Sequence, residues 1–142
     1  MPVYQRILAA VDFGEHSRKV LQEAAAMAKL CEAELIVSHV VSYPLVTDVD
    51  YAIPSVYELE SKLIELAEHQ LRELLAQVAL TGSVRAIVES GRPKDAISQI
   101  AEKEKIDLIV LGAHGRHGLA KLLGSTANRV LSQAPCNVLV VR

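Results

Sequence analysis

Five short aliphatic runs recur along the chain, with room for one helix between successive runs, and this rhythm narrows the possible folds more than any other feature. Ile7-Leu8-Ala9-Ala10-Val11, Glu34 to Val41, Val84 to Glu89, Asp107 to Leu111 and Asn137 to Val141 each have the length of a strand. Most are continuously apolar, as in strands covered on both faces. Between them the period changes. Val20, Leu21, Ala24, Ala25, Met27 and Ala28 put one buried face on a helix over 17–30. Leu59, Leu63, Leu66, Ala67, Leu71, Leu74, Leu75 and Val78 do the same over 55–80, opposite a solvated face carrying Glu58, Glu60, Lys62, Glu65, Glu68, Arg72 and Glu73. Pro93 suits the first turn of a helix running through Ile97 and Ile100 to about Lys105, and a shorter helix spans Thr126 to Gln133 before Pro135 breaks it. Strand and helix in alternation predict an α/β fold: one parallel sheet with helices on both faces, a three-layer sandwich. Ser42 to Pro54 keeps neither period and is predicted to be a long irregular connection, of a kind that often serves as a lid or contact surface.

The length of 142 residues predicts a single domain over 1–142. Hydrophobic residues make up 51% of the chain but aromatic ones only 4%, so the core must be aliphatic. A net charge of -2 and a pI near 6.2 offer no electrostatic ground for nucleic acid or an anionic membrane as partner. A small soluble ligand is expected instead. Cys31 and Cys136 stand far apart without CxxC or Cys-His spacing, which suits buried thiols rather than a zinc site or a disulfide. The residues after Met1 lack the apolar stretch of a signal peptide, and no segment approaches the ~20 apolar residues of a membrane span. The expected location is the cytoplasm, where thiols stay reduced.

The chemistry-bearing segment follows the fourth run. Gly112-Ala113-His114-Gly115-Arg116-His117-Gly118 leaves the strand, and Gly124-Ser125-Thr126 opens the next helix. Glycine admits positive φ and lets backbone N–H groups approach an anion with no Cβ in the way. A helix starting near Ser125 would aim its free N–H groups and positive dipole end at the same point. Each glycine alone would equally serve a tight turn, but several in one strand-to-helix connection, ending in Ser-Thr, point to a phosphate cradle. Parallel sheets bind ligands beyond their C-terminal strand ends, and Asp12 after the first run occupies the same kind of position as Gly112 after the fourth. Asp12 fits two roles: capping the next turn or helix, and accepting from a ligand hydroxyl or amine.

Arg116, Lys121 and Arg129 lie in or beside this segment, either to neutralise phosphate charge or to face solvent. The segment is no Walker loop, because Leu123-Gly124 rather than Gly-Lys precedes Ser125, so fast nucleoside triphosphate hydrolysis is not expected. His114 and His117 have no nearby Cys, Asp or Glu and read as loop histidines, not metal ligands. His39 reads as a satisfied core or rim histidine, and His16 and His69 as surface positions.

Over essentially its whole length the chain resembles the universal stress protein family. The resemblance rests on Arg6 to Asp12, Ser38-His39-Val40, Gly91-Arg92-Pro93, Asp107 to Gly115, Gly124 to Ala127 and Ala134 to Val141. It implies strand order 3-2-1-4-5 in a Rossmann-like (nucleotide alpha hydrolase-like) sandwich, an order the run pattern alone does not supply. It also implies a homodimer, for which the apolar C-terminal strand at the sheet edge is the natural contact. One branch of the family carries an adenine nucleotide, ATP or AMP, with Mg²⁺ held through the phosphates. Transferred to this sequence, that branch places Asp12 near adenine and ribose, Val40 against the adenine ring, and Gly112, Gly115, Gly124, Ser125 and Thr126 around the phosphates, with Arg116 a candidate binding residue from its place in the segment.

One departure stands out. The family pattern has nine residues between its second and third glycines, whereas Arg116 to Leu123 counts eight. Either the loop is merely shorter, or Gly124 shifts relative to the phosphates and biases the site toward AMP or another pose. The resemblance therefore implies a dimeric, nucleotide-binding stress-response module. Two readings from other classes stand beside it: a slow ATPase or phosphoryl transferase, and an interaction protein that binds no nucleotide.

Overall fold

The structure, a computed structural model, describes residues 3–42, 54–78, 80, 82–114 and 123–142. Along the chain run β1 (Arg6–Ala10), α1 (Ser17–Cys31), β2 (Glu34–Val41), α2 (Pro54–Val78), β3 (Val84–Ser90), α3 (Pro93–Lys103), β4 (Leu108–Gly112), α4 (Ser125–Gln133) and β5 (Asn137–Val141). All strand pairs are parallel, in the order β3-β2-β1-β4-β5. The α/β class and the order implied by the family resemblance are both observed. The connection read between Ser42 and Pro54 lies, over 43–53, outside the described residues.

Successive residues of the central strands enter different cores, which explains why their sequence is apolar without interruption. Ile7, Ala9, Leu35, Val37, Leu108 and Val110 pack with Val20, Leu21 and Ala24 of α1 and Leu71 of α2. Leu8, Ile36, Val40, Ile109 and Leu111 pack on the other side with Ala96, Ile97 and Ile100 of α3 and Ala127 and Val130 of α4. Burying such side chains on both faces contributes roughly 1.5–3 kcal/mol each before the entropy of ordering them is subtracted.

Polar contacts set the register at the opposite end from the cleft described below. Asp107, read from the sequence as the first residue of a strand, instead precedes β4 and holds β1. Its carboxylate accepts the Gln5 and Arg6 N–H groups at 2.8 and 3.1 Å, while its own N–H donates to Arg6 O at 3.0 Å.

Two helix ends differ from the sequence reading for one reason. Both α1 and α3 close in Schellman motifs with charged residues, not glycine, in the left-handed position. After α1, Glu32 has φ 55, its N–H donates to Lys29 O at 3.3 Å, and Ala33 N–H donates to Ala28 O at 2.8 Å. After α3, Lys105 has φ 55, its N–H donates to Glu102 O at 3.3 Å, and Ile106 N–H donates to Ala101 O at 2.9 Å. Without a glycine to mark these stops, the sequence gives no sharp boundary.

Candidate functional site

β1 has β2 on one side and β4 on the other, so the chain leaves it in opposite directions and a crevice opens beyond its C-terminal end. A cleft of about 530 Å³ occupies that place, within the range of small-ligand pockets. Asp12 and Val40 border it, as do Gly112, Gly124, Ser125 and Thr126, so six of the site residues read from the sequence converge. The other two, Gly115 and Arg116, lie outside the described residues, as do His117 and Lys121.

Asp12 organises the turn after β1. Its Oδ1 accepts the Gly14 N–H at 2.8 Å and the Ser17 hydroxyl at 3.3 Å. A Cβ on Gly14 would stand 2.9 Å from that same oxygen, so the close approach explains the glycine. Phe13, between them, takes φ 63. Its ring stacks on His39 with centroids 3.9 Å apart, and His39 Nδ1 lies 2.8 Å from Val11 O. His39 is thus the partnered rim histidine expected, and it also borders the cleft. His16, read as a surface residue, is exposed but borders the cleft too.

The inner wall is aliphatic. Val40 is 7% exposed and shares the wall with Ala10, Ile97 and Leu111. Set in that wall is Ser38, which the sequence reading quoted but gave no role. The only available signal was a hydroxyl within an apolar strand.

Gly112 and Gly124 stand on the far side. Neither has positive φ: among the described glycines only Gly82 and Gly91 do, and Gly124 sits at φ -62, ψ 160 as the N-cap of α4. The expectation of positive φ is therefore corrected at these positions. At Gly112 space does not demand glycine either, because a Cβ there would lie 3.4 Å from His114 O and 3.6 Å from Val20 Cγ2, ordinary van der Waals contacts. Gly124 N–H donates to Ala113 O at 2.7 Å, which draws the end of the connection back to its start. The first bond of the α4 ladder runs from Asn128 N–H to Gly124 O at 3.0 Å. The N–H groups of Ser125, Thr126 and Ala127 precede that ladder and point out of the helix end, where its dipole is positive.

Among the described residues the cleft wall carries no lysine or arginine. Arg129 is turned elsewhere, its Nε 3.3 Å from Asp95 Oδ1 on α3. An anion in the cleft would be met by amide and hydroxyl donors rather than by a described cationic side chain. The described residues also hold no group of three or more His, Cys, Asp and Glu able to grip a metal. Cys136 lies away from the cleft, and burial pushes its thiol above the ordinary value, with repulsion from Asp107 adding to the shift and a backbone hydrogen bond from Ile109 opposing it.

Comparison with known proteins follows the same outline. The universal stress protein family model matches residues 3–142. Universal stress protein A homolog 1 of Coxiella burnetii is 42% identical over 139 residues, covering 97% of this chain and 96% of that one. The solved structure of MJ0577, a universal stress protein of Methanocaldococcus jannaschii, superposes with a TM-score of 0.79 at 32% identity, covering 97% of this chain and 95% of that one. A universal stress protein solved in complex with cAMP superposes with a TM-score of 0.70 at 24% identity over 98% and 97% of the two chains, a likeness of fold. With the family model matched from residue 3 to residue 142, the chain belongs to the universal stress protein family.

Proposed function

We propose that this protein binds an adenine nucleotide, ATP or AMP, in the cleft beyond β1 and β4 and acts as a dimeric regulatory module of a stress response. The observation that carries the reading is the convergence of an aliphatic wall at Val40, a carboxylate at Asp12 and the open N-terminus of α4 on one cleft of about 530 Å³. Each part suits one portion of the ligand. The wall takes a flat apolar base, Asp12 accepts from a ribose hydroxyl or an amine, and the amides at Ser125 to Ala127, beside Gly112 and Gly124, take phosphate. Mg²⁺ would arrive with the phosphates, its charge offsetting theirs.

Thermal melts with and without nucleotide test the proposal. At a concentration 100 times Kd, a ligand that binds only the folded state adds about 2.7 kcal/mol. For a chain of this length that corresponds to a rise in Tm of very roughly 5–10 °C. Gly124→Val and Gly115→Val should remain folded and lose the rise. Absence of any shift in the wild-type protein at millimolar ATP and AMP would overturn the reading. Mass spectrometry of ligand released from freshly purified, denatured protein gives an independent answer. Steady release of phosphate from ATP, abolished in Asp12→Ala, would shift the reading to a slow ATPase.

A further inference from the structure

Three histidines, His16, His39 and His114, border a cleft whose described wall holds no lysine or arginine. His39 and His114 are half-buried. The His39 ring stacks on Phe13 with Nδ1 2.8 Å from Val11 O, and Nδ1 of His114 is buried. His16 is different: it is the N-cap of α1, yet its side chain makes no capping hydrogen bond and is 46% exposed. The backbone starts the helix without it, the His16 carbonyl accepting the Val20 N–H at 3.0 Å. The imidazole thus stands at the mouth of the cavity, accessible and unused by the turn that carries it.

The charged groups around His16 are few. Glu15 Oε1 lies 3.6 Å from its Nε2, and Asp12 is the single carboxylate on the described wall. From β2 and β4 the wall receives His39 and His114, and from α3 and α4 no titratable side chain. Basic side chains on the neighbouring elements are engaged elsewhere: Arg18 donates to Gln77 on α2, Lys19 to Arg142 O, and Arg129 pairs with Asp95. An imidazole changes charge between about pH 5 and 8, and a nearby anion favours its cationic form. We propose that His16 is the proton-linked counter-charge of the cleft: it gains a proton as a phosphate-bearing ligand binds, so the proton becomes a regulator of occupancy. The inference rests on the nucleotide reading above and adds to that site a binding residue and its control. Its sign follows from linkage. The histidine's contribution to affinity is present at acidic pH, where the imidazolium forms, and is lost as pH rises and the ring stays neutral even beside the ligand.

Isothermal titration of the full chain with ATP, AMP and adenosine, at about pH 6 and about pH 8, tests this assignment in the wild type, His16→Gln and His16→Lys. Phosphate itself titrates near about pH 6, but the ratio of affinities between two proteins for one ligand cancels that effect. At the lower pH, His16→Gln should bind ATP and AMP roughly 2- to 5-fold more weakly than the wild type, the size expected of an exposed ion pair. At the higher pH the two should agree. His16→Lys, charged throughout, should be the tighter binder at the higher pH and match the wild type at the lower. Adenosine, which has no phosphate, should bind wild type and His16→Gln alike at each pH. Without ligand, His16→Gln should melt with the wild type, because the side chain caps nothing. An ATP affinity ratio that is the same at both pH values would overturn the inference and leave nucleotide binding standing, as would equal weakening of adenosine. If the wild type binds neither ATP nor AMP, the nucleotide reading fails and the assignment of His16 fails with it.

Discussion

Asp12 shows how one side chain can build a turn at the rim of a cleft. Its Oδ1 holds Gly14 N–H and the Ser17 hydroxyl, fixing the carboxylate at the edge of the cleft. The capping role read from the sequence is thus observed. Gly14→Ala probes the positioning without touching Asp12. The added Cβ would stand 2.9 Å from Oδ1, and the short side chain can swing aside, so the fold should lose only about 1 kcal/mol while the carboxylate moves. Titration should then show ATP affinity several-fold weaker with a Tm only a few degrees lower. Full affinity in that variant would show that the position of the carboxylate does not matter.

Between elements, the stops of α1 and α3 hold removable strain. Glu32 and Lys105 occupy left-handed conformations that disfavour any residue with a Cβ by about 1–2 kcal/mol, partly offset when glycine's extra freedom in the unfolded chain is counted. Glu32→Gly and Lys105→Gly should each raise stability by about 0.5 kcal/mol in urea unfolding, with unchanged m-value and unchanged ligand response. A loss of stability would mean that the charged side chains hold the caps through contacts of their own. At their N-termini α1, α3 and α4 all lack a side-chain cap. Of α4, the first turn, Ser125 to Ala127, borders the cleft.

For the molecule as a whole, the two sheet edges are unlike. β3 carries Arg85, which pairs with Glu104, and Glu89, charges of the sort that discourage edge-to-edge pairing. β5 reads Asn-Val-Leu-Val-Val, with Val138, Leu139 and Val140 half-buried. The β5 edge is thus the natural place for a second copy, and the proposed homodimer uses it. Sedimentation of Val140→Lys, with circular dichroism to verify the fold, should give monomer where the wild type gives dimer. A fully dimeric Val140→Lys would place the contact elsewhere. No helix of the described residues is long and apolar enough to cross a membrane.

The class of fold and most element positions were legible because periodicity is local: apolar runs and helical faces repeat within a few residues and need no distant partner. Part of the site was legible for a similar reason, since Gly112 and Gly124-Ser125-Thr126 lie within one strand-to-helix connection. Strand order entered through family resemblance, because where a crossover packs depends on contacts between segments far apart in sequence. Only the folded chain reveals that neither Gly112 nor Gly124 takes positive φ. Only there, too, does Ser38 emerge as a buried hydroxyl, since strand register decides which donors and acceptors meet.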